Sequence, residues 1–132
     1  MKIPLLWVSS IAASLVAIGV VLQVYLVTAW IFGETDAIDV HRGLGNIVWL
    51  LEILVLVVGL VAYWSAWREI GVSASLAVLG TIQIMFVGDL DDPGSGSAHG
   101  LHGALALFVF LVALWIGCRD LPRRGRRAAK EA

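Results

Sequence analysis

The sequence predicts an all-α integral membrane protein, a four-helix up-down-up-down bundle with both termini cytoplasmic. Three observations predict it. Of 132 residues, 60% are hydrophobic and 14% charged, and the mean hydropathy is +0.92. A soluble domain of this size has too little interior to hide that much apolar surface. The apolar residues fall into four stretches, at about 4–32, 42–66, 71–88 and 98–118, separated by short polar joints. Basic residues gather at one end of these stretches and acidic residues at the other. An ordinary soluble domain and a disordered chain are both excluded, which leaves a single membrane domain, 1–132.

The first stretch begins with Lys2 and Pro4, and Pro suits a first helical turn. Lys2 and the Ala12-Ala13 pair imitate a signal peptide. The apolar run continues to Phe32, however, which is too long for a cleaved segment, so it reads as an uncleaved first span. Ser9, Ala13 and Ala17, four residues apart, form a stripe of small residues for contact with another helix of this chain or of a partner. The joint Gly33–Asp39 leads to the second stretch, and Ser65–Ile70 leads to the third, which is short for a span of about 20 residues. Asp89–Ser97 leads to the fourth. Within it Asp92-Pro93-Gly94 is a turn signal, and Ser97 is placed to cap the last helix. Short joints favour antiparallel neighbours.

Orientation follows from charge. Lys2, Arg68, Arg119, Arg123, Arg124, Arg126, Arg127 and Lys130 fall on one side if there are four spans. Arg42 is the only basic residue on the other side, among Glu34, Asp36, Asp39, Asp89, Asp91 and Asp92. The positive-inside rule then makes both termini cytoplasmic. Trp7, Trp64, Trp67 and Trp115 fit an inner interfacial belt and Trp30 an outer one, while Trp49 lies deeper, where packing is expected. The basic tail, 119–132, reads as a topology signal that also meets anionic lipid rather than nucleic acid. The expected location is a bacterial plasma membrane, multi-pass, with the lipid bilayer as the first partner. One cysteine, Cys118, excludes an internal disulfide and a cysteine metal cluster.

Three histidines carry the chemistry: His41, His99 and His102, all at the expected outer ends of spans two and four. His41–Leu50 and His102–Leu111 also resemble each other, as a weak internal repeat. Spans two and four lie on a diagonal of roughly 13 Å, from neighbouring axes about 8–10 Å apart. That distance suits two imidazoles reaching one iron across a macrocycle. Gly45 and Ala106, four residues beyond each ligand, leave space for the ring. Histidine is a common axial ligand of haem iron. His99 is placed either to replace His102 or to meet a propionate, and Arg42 either to meet a propionate or to pair with Asp39 or Asp36.

Two other sites compete. Asp39, His41, Asp89, Asp91, His99 and His102 form an outer rim whose donors suit Zn, Mn or Fe. Glu52 sits near mid-membrane, eleven residues after His41 and therefore within about 20° of the same helix face. It is either protonated and hydrogen-bonded to Gln23 or Gln83, or part of a proton path. Met85 reads as packing rather than as a ligand.

Four spans, an acidic outer loop, Asp39-Val40-His41-Arg42 opening span two and His102 opening span four resemble one half of the haem A synthase family. That resemblance covers nearly the whole chain. It implies His41 and His102 as axial ligands of a b-type haem. Ile38 stands where the family has a glutamate, and the outer loop lacks the family's cysteine pair, so the resemblance implies haem binding rather than haem modification. The family's second bundle would come from a homodimer or a larger redox complex. The expected function is thus membrane haem b binding for electron transfer. The alternatives are metal- or proton-linked transport through Glu52 and the outer rim, or a cofactor-free assembly subunit.

Overall fold

The computed structural model describes the backbone of residues 2–86 and 96–131 and the side chains of residues 4–85 and 96–119. The chain is all-helical: α1 (Lys2–Ile31), α2 (Ala37–Ala62), α3 (Trp67–Phe86) and α4 (Gly96–Glu131). Three of these, α1, α2 and α4, contain segments long and apolar enough to cross a membrane. Among the described residues the third helix offers no such segment; Arg68, Glu69 and several Ser, Thr and Gln residues lower its hydropathy.

Local chemistry moves the helix ends away from the hydropathy boundaries. The first helix stops at a Schellman motif: Glu34 N–H donates to the Ala29 carbonyl (3.0 Å) and Gly33 N–H to that of Trp30 (3.1 Å). Gly33 adopts φ 109°, which a residue without Cβ tolerates. The second helix then starts at Ala37, five residues before the apolar stretch does, and Asp39 in its first turn suits the positive end of the helix dipole. His41 therefore lies inside α2 rather than in front of it. A tight turn at Tyr63–Ala66, closed by Ala66 N–H on the Tyr63 carbonyl (2.7 Å), starts α3 at Trp67. The fourth helix begins at Gly96, so Ser97 is a helical residue and not the cap. Its backbone continues through the basic tail to Glu131. The Asp92-Pro93-Gly94 turn, Asp89 and Asp91 lie outside the described residues, as do the side chains of Lys2 and of the tail beyond Arg119.

Each helix packs on its chain neighbours, and α4 returns to α1. Among the described residues no backbone contact joins α1 to α3 or α2 to α4, so these two pairs face each other across the centre. The centre is made of small and medium residues: Ala12, Ala13, Val16, Ala17, Val55, Leu76, Ala113 and Ile116. Ser9, Ala13 and Ala17 are all buried, so the small-residue stripe of α1 serves packing inside this chain. Large aliphatics such as Ile11, Ile18, Leu22, Leu50 and Val57 point outward. Small inside and large outside is the arrangement of helices solvated by lipid, and a water-soluble surface does not carry so continuous an apolar cover. Three segments long and apolar enough to span and this outer surface mark a membrane protein.

Two contacts lock the helices together. Ser10 Oγ donates to the Gly117 carbonyl across α1 and α4 (2.8 Å). At the same end Arg119 donates to Glu69 (2.7 Å), with its side chain only 6% exposed. Its guanidinium also lies 5.0 Å from the Tyr63 ring centre and 4.9 Å from that of Trp115. The arrangement sets a buried cation against a carboxylate and two aromatic faces.

α1 and α2 pack tightly at Gly19, where an added Cβ would stand 2.5 Å from Val48 Cγ2. Gly19→Ala is expected to cost about 1–3 kcal/mol through overpacking, read as a lower thermal midpoint in detergent. An unchanged midpoint would show that the two helices are not in close contact there.

Candidate functional site

Between the diagonal helices lies a cavity of about 440 Å³, within the usual range of roughly 300–1,000 Å³ for small-molecule sites. Every helix lines it. Gln23 comes from α1; His41, Asn46 and Glu52 from α2; Gln83 from α3; His99 and His102 from α4. The remaining lining is mostly apolar or small, including Val20, Val48, Gly45, Gly103 and Ala106. The structure thus brings together every haem-site residue expected from the sequence: His41, Arg42, Gly45, His99, His102 and Ala106.

His41 and His102 meet edge to face at the cavity wall, with ring centres 6.2 Å apart and ring planes at 65°. On a shared metal, bonds of about 2 Å to each ring nitrogen would leave the ring centres about 6 Å apart. His41 Nδ1–H donates to the Gln23 carbonyl (3.2 Å), which leaves Nε2 as the lone-pair nitrogen of the neutral ring. His102 Nδ1 is buried without a hydrogen-bond partner. A Cβ built on Gly103, beside His102, meets nothing within 4 Å, so the space there is open. Two facing imidazoles, one of them already oriented by a carbonyl, fit an axial ligand pair for haem.

Gln23 and Gln83 play parallel parts. Gln23 on α1 receives His41 of α2, while Gln83 Nε2 on α3 donates to the His102 carbonyl of α4 (3.4 Å). Each glutamine precedes its histidine by 18 or 19 residues. The repeat therefore extends back into the preceding helix, a spacing visible in the sequence but overlooked when only the histidine segments are aligned.

Several expectations change. Arg42 pairs with Asp39 (3.1 Å, i to i+3) at an exposed position by the cavity mouth, which settles its carboxylate partner within the chain. That pairing, from Asp39 as well, weakens the outer metal rim: among the described residues no three His, Cys, Asp or Glu side chains converge to hold a metal ion. Glu52 is 2% exposed, but its Oε2 has no hydrogen-bond partner. Neither Gln23 nor Gln83 bonds that oxygen: the Gln83 amide donates to the His102 backbone carbonyl, and the Gln23 amide lies against Gly45. The Glu52 carboxyl instead lies against Gly80 of α3, in space that a Cβ at Gly80 would fill. Nothing in the local sequence marks Gly80, since its partner comes from another helix. Trp49 packs as expected and also donates from Nε1 to Thr81 Oγ1 (3.1 Å), tying α2 to α3 at the cavity wall.

Comparison with protein-family models, with curated proteins and with solved structures gives no match.

An unpartnered buried oxygen costs stability, about 1–3 kcal/mol. Glu52→Met keeps the length and removes the oxygens, so it is expected to raise stability by about that amount. Thermal unfolding in detergent measures it, and a lower midpoint would mean that the carboxyl is a structural contact after all.

Proposed function

We propose that this chain binds a b-type haem in the membrane, with His41 and His102 as axial ligands, and serves electron transfer alone or as a subunit of a larger redox complex. The observation that carries this reading is the facing pair of imidazoles, 6.2 Å apart, at the wall of one cavity. His41 and His102 would hold the haem iron, which would supply one-electron transfer. The chain's own residues supply the rest. The Gln23 carbonyl orients His41. Gly103 leaves open space beside His102, while the gap at Gly45 is taken by the Gln23 amide. Arg42 at the mouth, already paired with Asp39, and His99 beside it are the polar groups available to propionates.

The proposal includes a topology. Four antiparallel helices cross a bacterial plasma membrane, with both termini cytoplasmic. The third helix crosses despite its modest hydropathy because its polar residues turn inward: Ser73 is fully buried, and Thr81 and Gln83 bond to neighbouring helices. Lys and Arg concentrated beside the α2–α3 turn and in the tail support this orientation. A homodimer or a redox complex remains the proposed assembly.

The test is the visible spectrum of the purified protein, oxidised and then reduced with dithionite. A Soret band with sharp α and β bands on reduction is expected. His41→Ala and His102→Ala should each lower haem content at least tenfold, while His99→Ala keeps most of it. A colourless protein from haem-replete cells would sink the proposal.

A further inference from the structure

The cavity continues past the histidines. Along α2 it runs from Arg42 at the mouth to Glu52, ten residues and so about 15 Å of helix. Polar side chains stand on every wall of this otherwise apolar course: Gln23, Asn46, Gln83, His99 and His102. Three buried polar atoms on it lack a partner, namely Gln23 Oε1, His102 Nδ1 and Glu52 Oε2. Buried polar atoms without protein partners, where there is room for water to reach several of them, are where ordered water sits. At roughly 30 Å³ per water, 440 Å³ holds on the order of ten.

Past Glu52 the space closes. Val16, Val55, Leu76, Ala113 and Ile116 form a dry layer between it and the Arg119–Glu69 pair. Glu52 is the last polar side chain lining the cavity from the His41 end, and this layer stands between it and the buried Ser9, Ser10 and Ser73 of the tail half. The carboxyl lies in the gap left by Gly80, a position that keeps it in the cavity rather than in the core.

We propose that Glu52 is a proton-binding site at the blind end of a water-lined half-channel that communicates with the His41 face of the membrane and not with the tail face. The groups that bear on it are few. On α2 they are His41 and Arg42, the latter held by Asp39; on α4 they are His99 and His102. From α1 and α3 only the amides Gln23 and Gln83 face the cavity among its described polar residues. Glu69 and Arg119 lie beyond the dry layer and bind each other. The site does not require haem. It explains why a carboxyl is kept at a buried position where a hydrocarbon side chain would be more stable: functional sites commonly retain such costs.

The experiment uses the full-length protein in sealed vesicles whose orientation is set by proteolytic access to the basic tail. Dicyclohexylcarbodiimide enters from the lipid and traps protonated carboxyls. The acid O–H adds across one C=N bond, and the adduct rearranges to a stable N-acylurea, located by peptide mass mapping. Glu52 is expected to be labelled. Raising the pH on the His41 side should cut labelling at least tenfold, while raising it on the tail side should leave labelling unchanged. Absence of a Glu52 adduct overturns the proposal, as does an adduct that follows the tail-side pH. The visible spectrum is read on the same sample. A colourless protein labelled from the His41 side sustains the half-channel and removes the haem; a coloured protein with unlabelled Glu52 does the reverse.

Discussion

Lipid on the outside leaves this chain one place to house polar side chains, the space between its helices. An unsatisfied polar group facing hydrocarbon is too costly to keep. The two halves of the interior meet that constraint differently. Toward the tail end the lining is Ala, Val and Ser, and α1 comes close enough to α2 and α4 for Ser10 to reach the Gly117 carbonyl. Toward the other end the lining includes Gln, Asn, Glu and His, whose length and hydrogen-bonding needs keep the helices apart. The dry core and the cavity are thus two results of one requirement, and the size of the residues decides where one gives way to the other.

Charge is handled by the same logic. Arg119 is buried near the tail end, and it is tolerated because Glu69, Tyr63 and Trp115 surround it. Arg42 at the opposite end stays half exposed and pairs with Asp39. Between them Glu52 has neither a cation nor a donor on its Oε2. It is the one described carboxyl placed where packing alone would not keep it, and it shares a cavity with the histidine pair. A redox centre near the mouth and an acid at the floor would occupy one continuous space.

Much of the fold was legible because membrane helices are written in hydropathy. The four helices, the buried α1 stripe and the packing role of Trp49 follow from period and composition. Helix ends were less legible. The Schellman closure at Gly33 and the early start of α2 depend on local hydrogen bonds, which a hydropathy boundary at residue 42 does not register. Ser97 looked like a cap because of its residue type, yet the helix begins one residue earlier. At the site, matching histidines in the two halves pointed to His41 and His102. The glutamines that hold them were harder to assign, since Gln23 and Gln83 looked equally suited to Glu52.

By itself the sequence determined the class of protein, the number of helices, and the three histidines and one glutamate that could carry chemistry. Hydrophobicity and residue spacing act along the chain, so they are readable without coordinates. Only the tertiary structure decided which of those groups meet. It set His41 beside His102, gave His41 the Gln23 backbone carbonyl and His102 the Gln83 amide, gave the Glu52 carboxyl the gap at Gly80, and joined Arg119 to Glu69 across 50 residues of chain. Those outcomes depend on how far apart the helices stand and which faces they turn to each other. Packing settles both, through side chains distant in sequence.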